Sequence, residues 1–268
     1  MKMNMKMSFY YNHPYHLVTM SPWPLLTSLS MMIFMIGSIY MFNYKTFMLL
    51  FIGLLSIILC SFQWWRDIIR ESTFQGLHTK KILISLKLGM FLFIISELLF
   101  FISFFWSYFH SALSPNIELG NLWPPKNIKQ FNPYKIPLLN TIILLSSGIS
   151  ITFCHYSILN NNYKKSLISL LITISLGLIF MIIQMFEYSN SLFCMNDSIY
   201  GSMFFLTTGF HGSHVMIGLI FLMTVLFRLL NMHLSMNHHY SFEASSWYWH
   251  FVDIIWIFVF SIIYWWNY

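Results

Sequence analysis

The sequence predicts an all-α membrane protein, a bundle of seven transmembrane helices, and three observations predict it. The 268-residue chain is 57% hydrophobic and 8% charged, whereas a soluble domain carries about one charged residue in four. Its apolar residues run in long unbroken blocks instead of amphipathic stripes, so lipid is the solvent most of them face. Lipid cannot satisfy exposed backbone N–H and C=O groups, which excludes open sheets, and the short alternating segments of a membrane β-barrel are missing.

The spans fall at about 23–42, 46–65, 82–109, 136–156, 166–186, 200–228 and 246–266, and they read as one membrane domain covering residues 1–268. Span one opens on Ser21-Pro22-Trp23-Pro24, where Ser21 suits an N-cap, the prolines a first helical turn and the indole an interface. Span two ends at Trp64-Trp65 and span seven at Trp265-Trp266, both where an aromatic belt belongs. Between spans three and four lies the longest loop, 110–135, with Pro115, Pro124, Pro125 and Pro133 and no apolar periodicity. It is expected to be an ordered cap on the outer end. No internal repeat of the inverted-transporter kind is visible.

Seven spans put the termini on opposite sides. Lys2, Lys6, Arg66, Arg70, Lys80, Lys81, Lys87, Lys164, Lys165 and Arg228 gather on the N-terminal side, against Lys45, Lys126, Lys129 and Lys135 on the other. The positive-inside rule therefore leaves the N-terminus on the side of synthesis. Alanine occurs only at Ala112 and Ala244 while Ile, Phe, Met, Asn, Lys and Tyr abound, a codon bias expected of an A+T-rich organelle genome. Met1 to Tyr15 shows no arginine-rich targeting pattern, as a chain made inside the organelle would require.

Several side chains carry chemistry. Glu97 sits amid phenylalanines and isoleucines about half a bilayer from either end of span three. An acid there costs about 2.5–3.5 kcal/mol on insertion scales, so burial, a partner or protonation must offset it. It reads as a proton-related or lipid-adjacent site, with a structural interhelical hydrogen bond as the plainer reading. His250 and Asp253, three apart in span seven, can meet on one helix face as a local acid–imidazole pair or a piece of a proton path. In span six Thr207, His211, His214 and Gly218 recur at helical spacing, with Gly201, Gly209 and Gly212 nearby, the pattern of a close helix contact with histidines bonding across it.

Haem or metal ligation is the sharper reading of His110, His155, His211, His214 and His250. A transmembrane haem needs two facing axial ligands, however, and His211-x-x-His214 lies on one helix without cysteines or nearby carboxylates. No metal site and no catalytic residue is expected in this chain, and His238-His239 reads as a solvated loop pair. Cys60, Cys154 and Cys194 are too scattered for a disulfide framework or thiolate site and read as small apolar fillers.

The stretch from Gln63 to Gly76 joins tandem tryptophans to Arg66, Asp67, Arg70 and Glu71. As a helix it sets like charges four apart and lets Asp67 meet Arg70. On the positive side of a membrane it suits anionic head groups or a partner subunit better than a plain connector. No phosphate loop, Ser/His/Asp arrangement, zinc spacing or nucleic-acid motif occurs. Two classes survive on residues alone: a non-catalytic subunit of a membrane complex, and a secondary transporter using Glu97.

The sequence resembles the subunit 3 family of cytochrome c oxidase, the haem–copper respiratory oxidase. The matching stretches are Ser21-Pro-Trp-Pro24, Gln63 to Gly76, Phe93-Ile-Ile-Ser-Glu97, Phe104-Phe-Trp106, Leu122-Trp-Pro-Pro125, Pro137-Leu-Leu-Asn-Thr141, Gly209-Phe-His-Gly212, Trp247-Tyr-Trp-His-Phe-Val-Asp253 and Tyr264-Trp-Trp266. The resemblance implies an accessory core subunit of complex IV in the mitochondrial inner membrane, N-terminus in the matrix and C-terminus in the intermembrane space. Haem a, haem a3 and copper would then sit in partner subunits 1 and 2, alongside further accessory subunits. It also implies a phospholipid-holding cleft separating helices 1–2 from helices 3–7, with Glu97 facing it and Trp65, Arg70, Glu71, His78 and Arg228 as lipid contacts. A role in sustaining proton uptake and protecting the catalytic subunit follows from the same resemblance.

Overall fold

The computed structural model describes residues 14–117, 120–126, 128–266 and 268; Lys2 and Lys6 of the charge count lie outside them. Seven helices follow in order: α1 Trp23–Tyr44, α2 Met48–Thr73, α3 Lys80–Leu113, α4 Ile136–Leu159, α5 Tyr163–Ser189, α6 Ile199–Leu230 and α7 Tyr240–Val259. A π-helical turn, Phe260–Trp265, extends α7. Each helix is long and apolar enough to cross a bilayer, and no strand occurs among the described residues. The protein is an all-α seven-helix membrane bundle.

Five of the seven helices contain their predicted span; α2 starts two residues inside span two, and α7 with its π-helical turn stops one residue short of the end of span seven, while most helices overrun at one end or both. Hydropathy marks the part of a helix that lipid surrounds, whereas backbone hydrogen bonding continues until a cap or turn stops it. The polar stretch after Trp65 therefore belongs to α2 as far as Thr73, and α7 begins six residues before its apolar block, at Tyr240. Ser21 does not cap α1. Pro22 takes that place, its carbonyl accepting from Leu26 N at 3.0 Å with no side-chain cap, and Trp23 Nε1 instead donates to Asp67 Oδ2 at 2.7 Å.

The chain forms two compact units, one reaching Leu86 and one starting at Lys87, so α3 begins in the first and continues in the second. In the first unit α1 and α2 form a hairpin closed by Lys45, whose φ of 54° ends α1 in the left-handed region. Two glycines bring these helices together. A Cβ at Gly37 would lie 2.6 Å from Leu50 N, and one at Gly53 would lie 2.6 Å from Phe34 Cα. Without a hydrophobic drive between helices in lipid, such backbone approach is the main source of association. Ser30 Oγ lies 3.9 Å from Cys60 Sγ across the same contact, so the variant S30C should cross-link to Cys60 under mild oxidant. Adding Gly53→Leu should cut that cross-link several-fold; an unchanged yield would show that the glycine seam does not hold the hairpin.

In the second unit α4 runs along α5, and α7 packs on α4 and α6. The fully buried Trp249 is its wedge. Gly177 and Gly218 leave room for the indole, since a Cβ would lie 2.7 Å and 3.0 Å from its ring, and its Nε1 donates to Ser147 Oγ at 2.8 Å. Gly218 thus serves the close contact its spacing implied. Gly212 does not, because nothing lies within 4 Å of a Cβ there. Helix α3 joins through long rings: Phe100 and Phe104 meet Phe210, and Phe101 meets His214 and Phe251. Among the described residues of 110–135, Trp123 packs against Tyr108 and Tyr200 and Phe131 against Phe193 and Phe204.

The cysteines are free. Cys154 is buried as an apolar filler, but Cys194 is exposed, because it lies in the turn before α6, where its N–H donates to Asp197 Oδ2.

Candidate functional site

Glu97 has a partner. His214, on α6, is 117 residues away in sequence, and its Nε2 lies 2.9 Å from Glu97 Oε2. The other ring nitrogen, Nδ1, lies 2.7 Å from the Phe210 carbonyl one turn back. A carbonyl only accepts, so Nδ1 carries the hydrogen and aims Nε2 at the acid. One proton then bridges Nε2 and Oε2, as imidazolium with carboxylate or imidazole with carboxylic acid. Both arrangements leave the pair neutral overall, which is what a membrane interior demands of two ionisable groups. Phe100, Phe101 and Tyr248 lie around the imidazole, and the Glu97 side chain stays 26% exposed.

The histidine three residues before is engaged differently. His211 is fully buried, and its Nε2 donates to the Val252 carbonyl of α7 at 3.2 Å. The two histidines of span six thus both bond across helix contacts, as small-residue packing led one to expect. His250 and Asp253 form the predicted local pair, Nδ1 to Oδ2 at 4.0 Å. They close on α4 at Gly148, where a Cβ would come 2.9 Å from Asp253 Oδ2.

His239 is not a solvated loop residue. It is 8% exposed and faces His155 of α4 and Glu243 of α7. Its position next to a polar loop hid this, because the burial comes from a helix about 80 residues earlier in the chain.

The family described as cytochrome c oxidase subunit III matches residues 13–268. Cytochrome c oxidase subunit 3 of the tick Rhipicephalus sanguineus is 54% identical over 95% of this chain and 99% of its own length. The subunit 3 chains of Aedes aegypti and Mammuthus primigenius are each 52% identical, over 97% and 95% of this chain and 100% and 98% of theirs. The chain belongs to the cytochrome c oxidase subunit III family.

The residues carried over from the resemblance divide between the two units. Trp65 is exposed, and Arg70 reaches Asp67 Oδ1 at 3.8 Å while remaining half exposed. Glu71 is occupied locally: Thr19 Oγ1 donates to its Oε1 at 3.2 Å, and His16 Nε2 lies 3.8 Å from Oε2. The His78 ring lies 5.8 Å from that of His16. In the second unit Arg228 closes the last turn of α6 with its Nε buried and unbonded among the described residues.

The chain also holds a buried acid that hydropathy concealed. Glu187 is fully buried in the last turn of α5, where the Tyr264 hydroxyl donates to its Oε1 at 2.6 Å. One turn back Gln184 Oε1 accepts from Asn140 Nδ2 at 3.2 Å, and Tyr188 shares a 2.6 Å hydrogen bond with Thr208. The apolar block of span five stops at residue 186, one short of the acid. The signal available was Gln184-x-x-Glu187-Tyr188, polar groups at helical spacing that share a face.

Proposed function

We propose that this chain is a redox-inactive core subunit of the mitochondrial cytochrome c oxidase complex, lying in the inner membrane with its N-terminus in the matrix and its C-terminus in the intermembrane space. Electrons pass from cytochrome c to oxygen through haem a, haem a3 and copper in subunits 1 and 2, and this chain supports that reaction and its proton pumping. The observation that carries the reading is the family match over residues 13–268. Side-chain geometry supports the redox-inactive part, because His211 and His214, the intramembrane histidines of α6, are committed to a carbonyl and to Glu97 and offer no facing axial pair.

Within that role the Glu97–His214 pair is a proton- or lipid-associated site. Trp65, Arg70, Glu71, His78 and Arg228 are the candidate contacts to phospholipid. An exposed indole and a half-exposed guanidinium in the C-terminal turns of one helix suit an anionic head group at an interface.

Gentle solubilisation of the native membrane, followed by native electrophoresis, tests the reading. The chain should co-migrate with haem a absorbance. Its absence from every haem-bearing band would sink the proposal, and Glu97-dependent solute or proton flux through the purified, reconstituted chain would favour a transporter instead.

A further inference from the structure

At the end of the second unit where α4 ends and α7 begins, three ligand atoms converge: His155 Nε2, His239 Nε2 and Glu243 Oε1. The two imidazole nitrogens lie 3.4 Å apart, and His239 Nε2 lies 3.4 Å from the carboxylate oxygen. Lone-pair atoms at this spacing need a proton or a cation between them. His239 Nδ1 lies 3.1 Å from the Ser235 carbonyl, which only accepts, so Nδ1 carries the hydrogen and neutral His239 presents a bare lone pair at Nε2. Glu243 Oε1 presents lone pairs to that same atom. With His239 neutral, His155 can supply one N–H to the group and no hydrogen lies between His239 and Glu243, so that gap takes either a further proton, as on an imidazolium, or a cation.

We propose that His155, His239 and Glu243 form a binding site for a zinc-class divalent cation. Ligand bonds of 2.0–2.1 Å at a tetrahedral ion set neighbouring donor atoms about 3.3–3.4 Å apart; the two edges at His239, 3.4 Å each, match that spacing, and all the ligand atoms lie within 4.8 Å of one another. Two neutral imidazoles and one carboxylate select zinc or its neighbours over magnesium or calcium, which take mainly oxygen. The supporting contacts are those a metal site uses. The Ser235 carbonyl fixes the His239 tautomer, and Lys87 Nζ holds the second carboxylate oxygen, Oε2, at 2.6 Å, leaving Oε1 for the ion. Phe242 lies against the His155 ring at 5.6 Å between centroids and limits its rotation. Three protein ligands leave a fourth position for water, the ligand count of an exchangeable site and not of a closed structural one. An ion there would tie the end of α4 to the start of α7.

The test uses the intact oxidase complex, stripped with a chelator and then equilibrated with micromolar zinc chloride. Anomalous diffraction above the zinc edge should place a peak about 2.0–2.2 Å from both Nε2 atoms and Glu243 Oε1; zinc density elsewhere with none here would overturn the site. Competition with a fluorescent chelator adds a solution reading. The Glu243→Gln complex should hold one zinc at least tenfold more weakly than the native complex, and unchanged affinity at every site would overturn the carboxylate's part. If that variant fails to assemble, the native measurement still decides. Magnesium chloride at the same concentration should leave the position empty, and magnesium binding there would overturn the assignment to a nitrogen-preferring ion.

Discussion

Trp249→Ala is expected to release this chain from its complex under detergent conditions that leave the native assembly intact. The indole is fully buried and contacts the space left by Gly177 on α5 and Gly218 on α6, so it is the side chain on which α5, α6 and α7 converge. Truncating a buried tryptophan to alanine costs about 3–5 kcal/mol in lost contacts and residual cavity. That is roughly two to three and a half powers of ten in an equilibrium constant. A stepwise SDS titration of the purified complex, following release of this chain, reads the effect directly. Trp249→Phe should be milder, since a benzyl ring occupies most of the space, but it strands Ser147 Oγ without its 2.8 Å donor. Ser147→Ala strands the indole N–H in the opposite sense, at about 1–3 kcal/mol. Because these two changes break the same bond, the double variant should cost less than their sum. Strict additivity would show that the hydrogen bond contributes nothing and that shape alone matters.

The ease of reading these features from sequence follows their sequence separation. Seven apolar blocks are local properties, so the number and order of helices were legible, as was the His250–Asp253 pair, whose members share one helix face. Helix ends were less so, because apolarity stops before the hydrogen-bond ladder does, and Glu187 was hidden by that one-residue difference. Glu97 was conspicuous as an acid in a phenylalanine-rich span, but its partner was not. The Glu97–His214 bond joins residues 117 apart, and nothing near Glu97 specifies which of the several intramembrane histidines will reach it. His239 failed for the same reason in reverse: its neighbours in sequence are polar, and the residue that buries it, His155, comes from α4.

The Glu97–His214 pair allows structural and functional roles to be separated by substitution. His214→Leu removes the group that shares the proton of Glu97 and leaves an acid alone in the membrane, at a cost of about 2.5–3.5 kcal/mol. Glu97→Leu leaves the imidazole Nε2 without its 2.9 Å partner, at about 1–3 kcal/mol. Replacing both by leucine removes both orphaned groups at once, and exchanging a buried ionisable pair for apolar residues is often neutral or better. The double variant should therefore survive the SDS titration better than His214→Leu alone, although it carries one more change. Sustained oxygen consumption by the assembled complex then decides the role. If the pair serves proton uptake or lipid-dependent maintenance of the catalytic centre, the double variant assembles with a full complement of haem and yet loses turnover several-fold over repeated cycles. Native turnover in a stable double variant would reduce Glu97 and His214 to a structural clasp between α3 and α6, with the leucines doing the same job by packing.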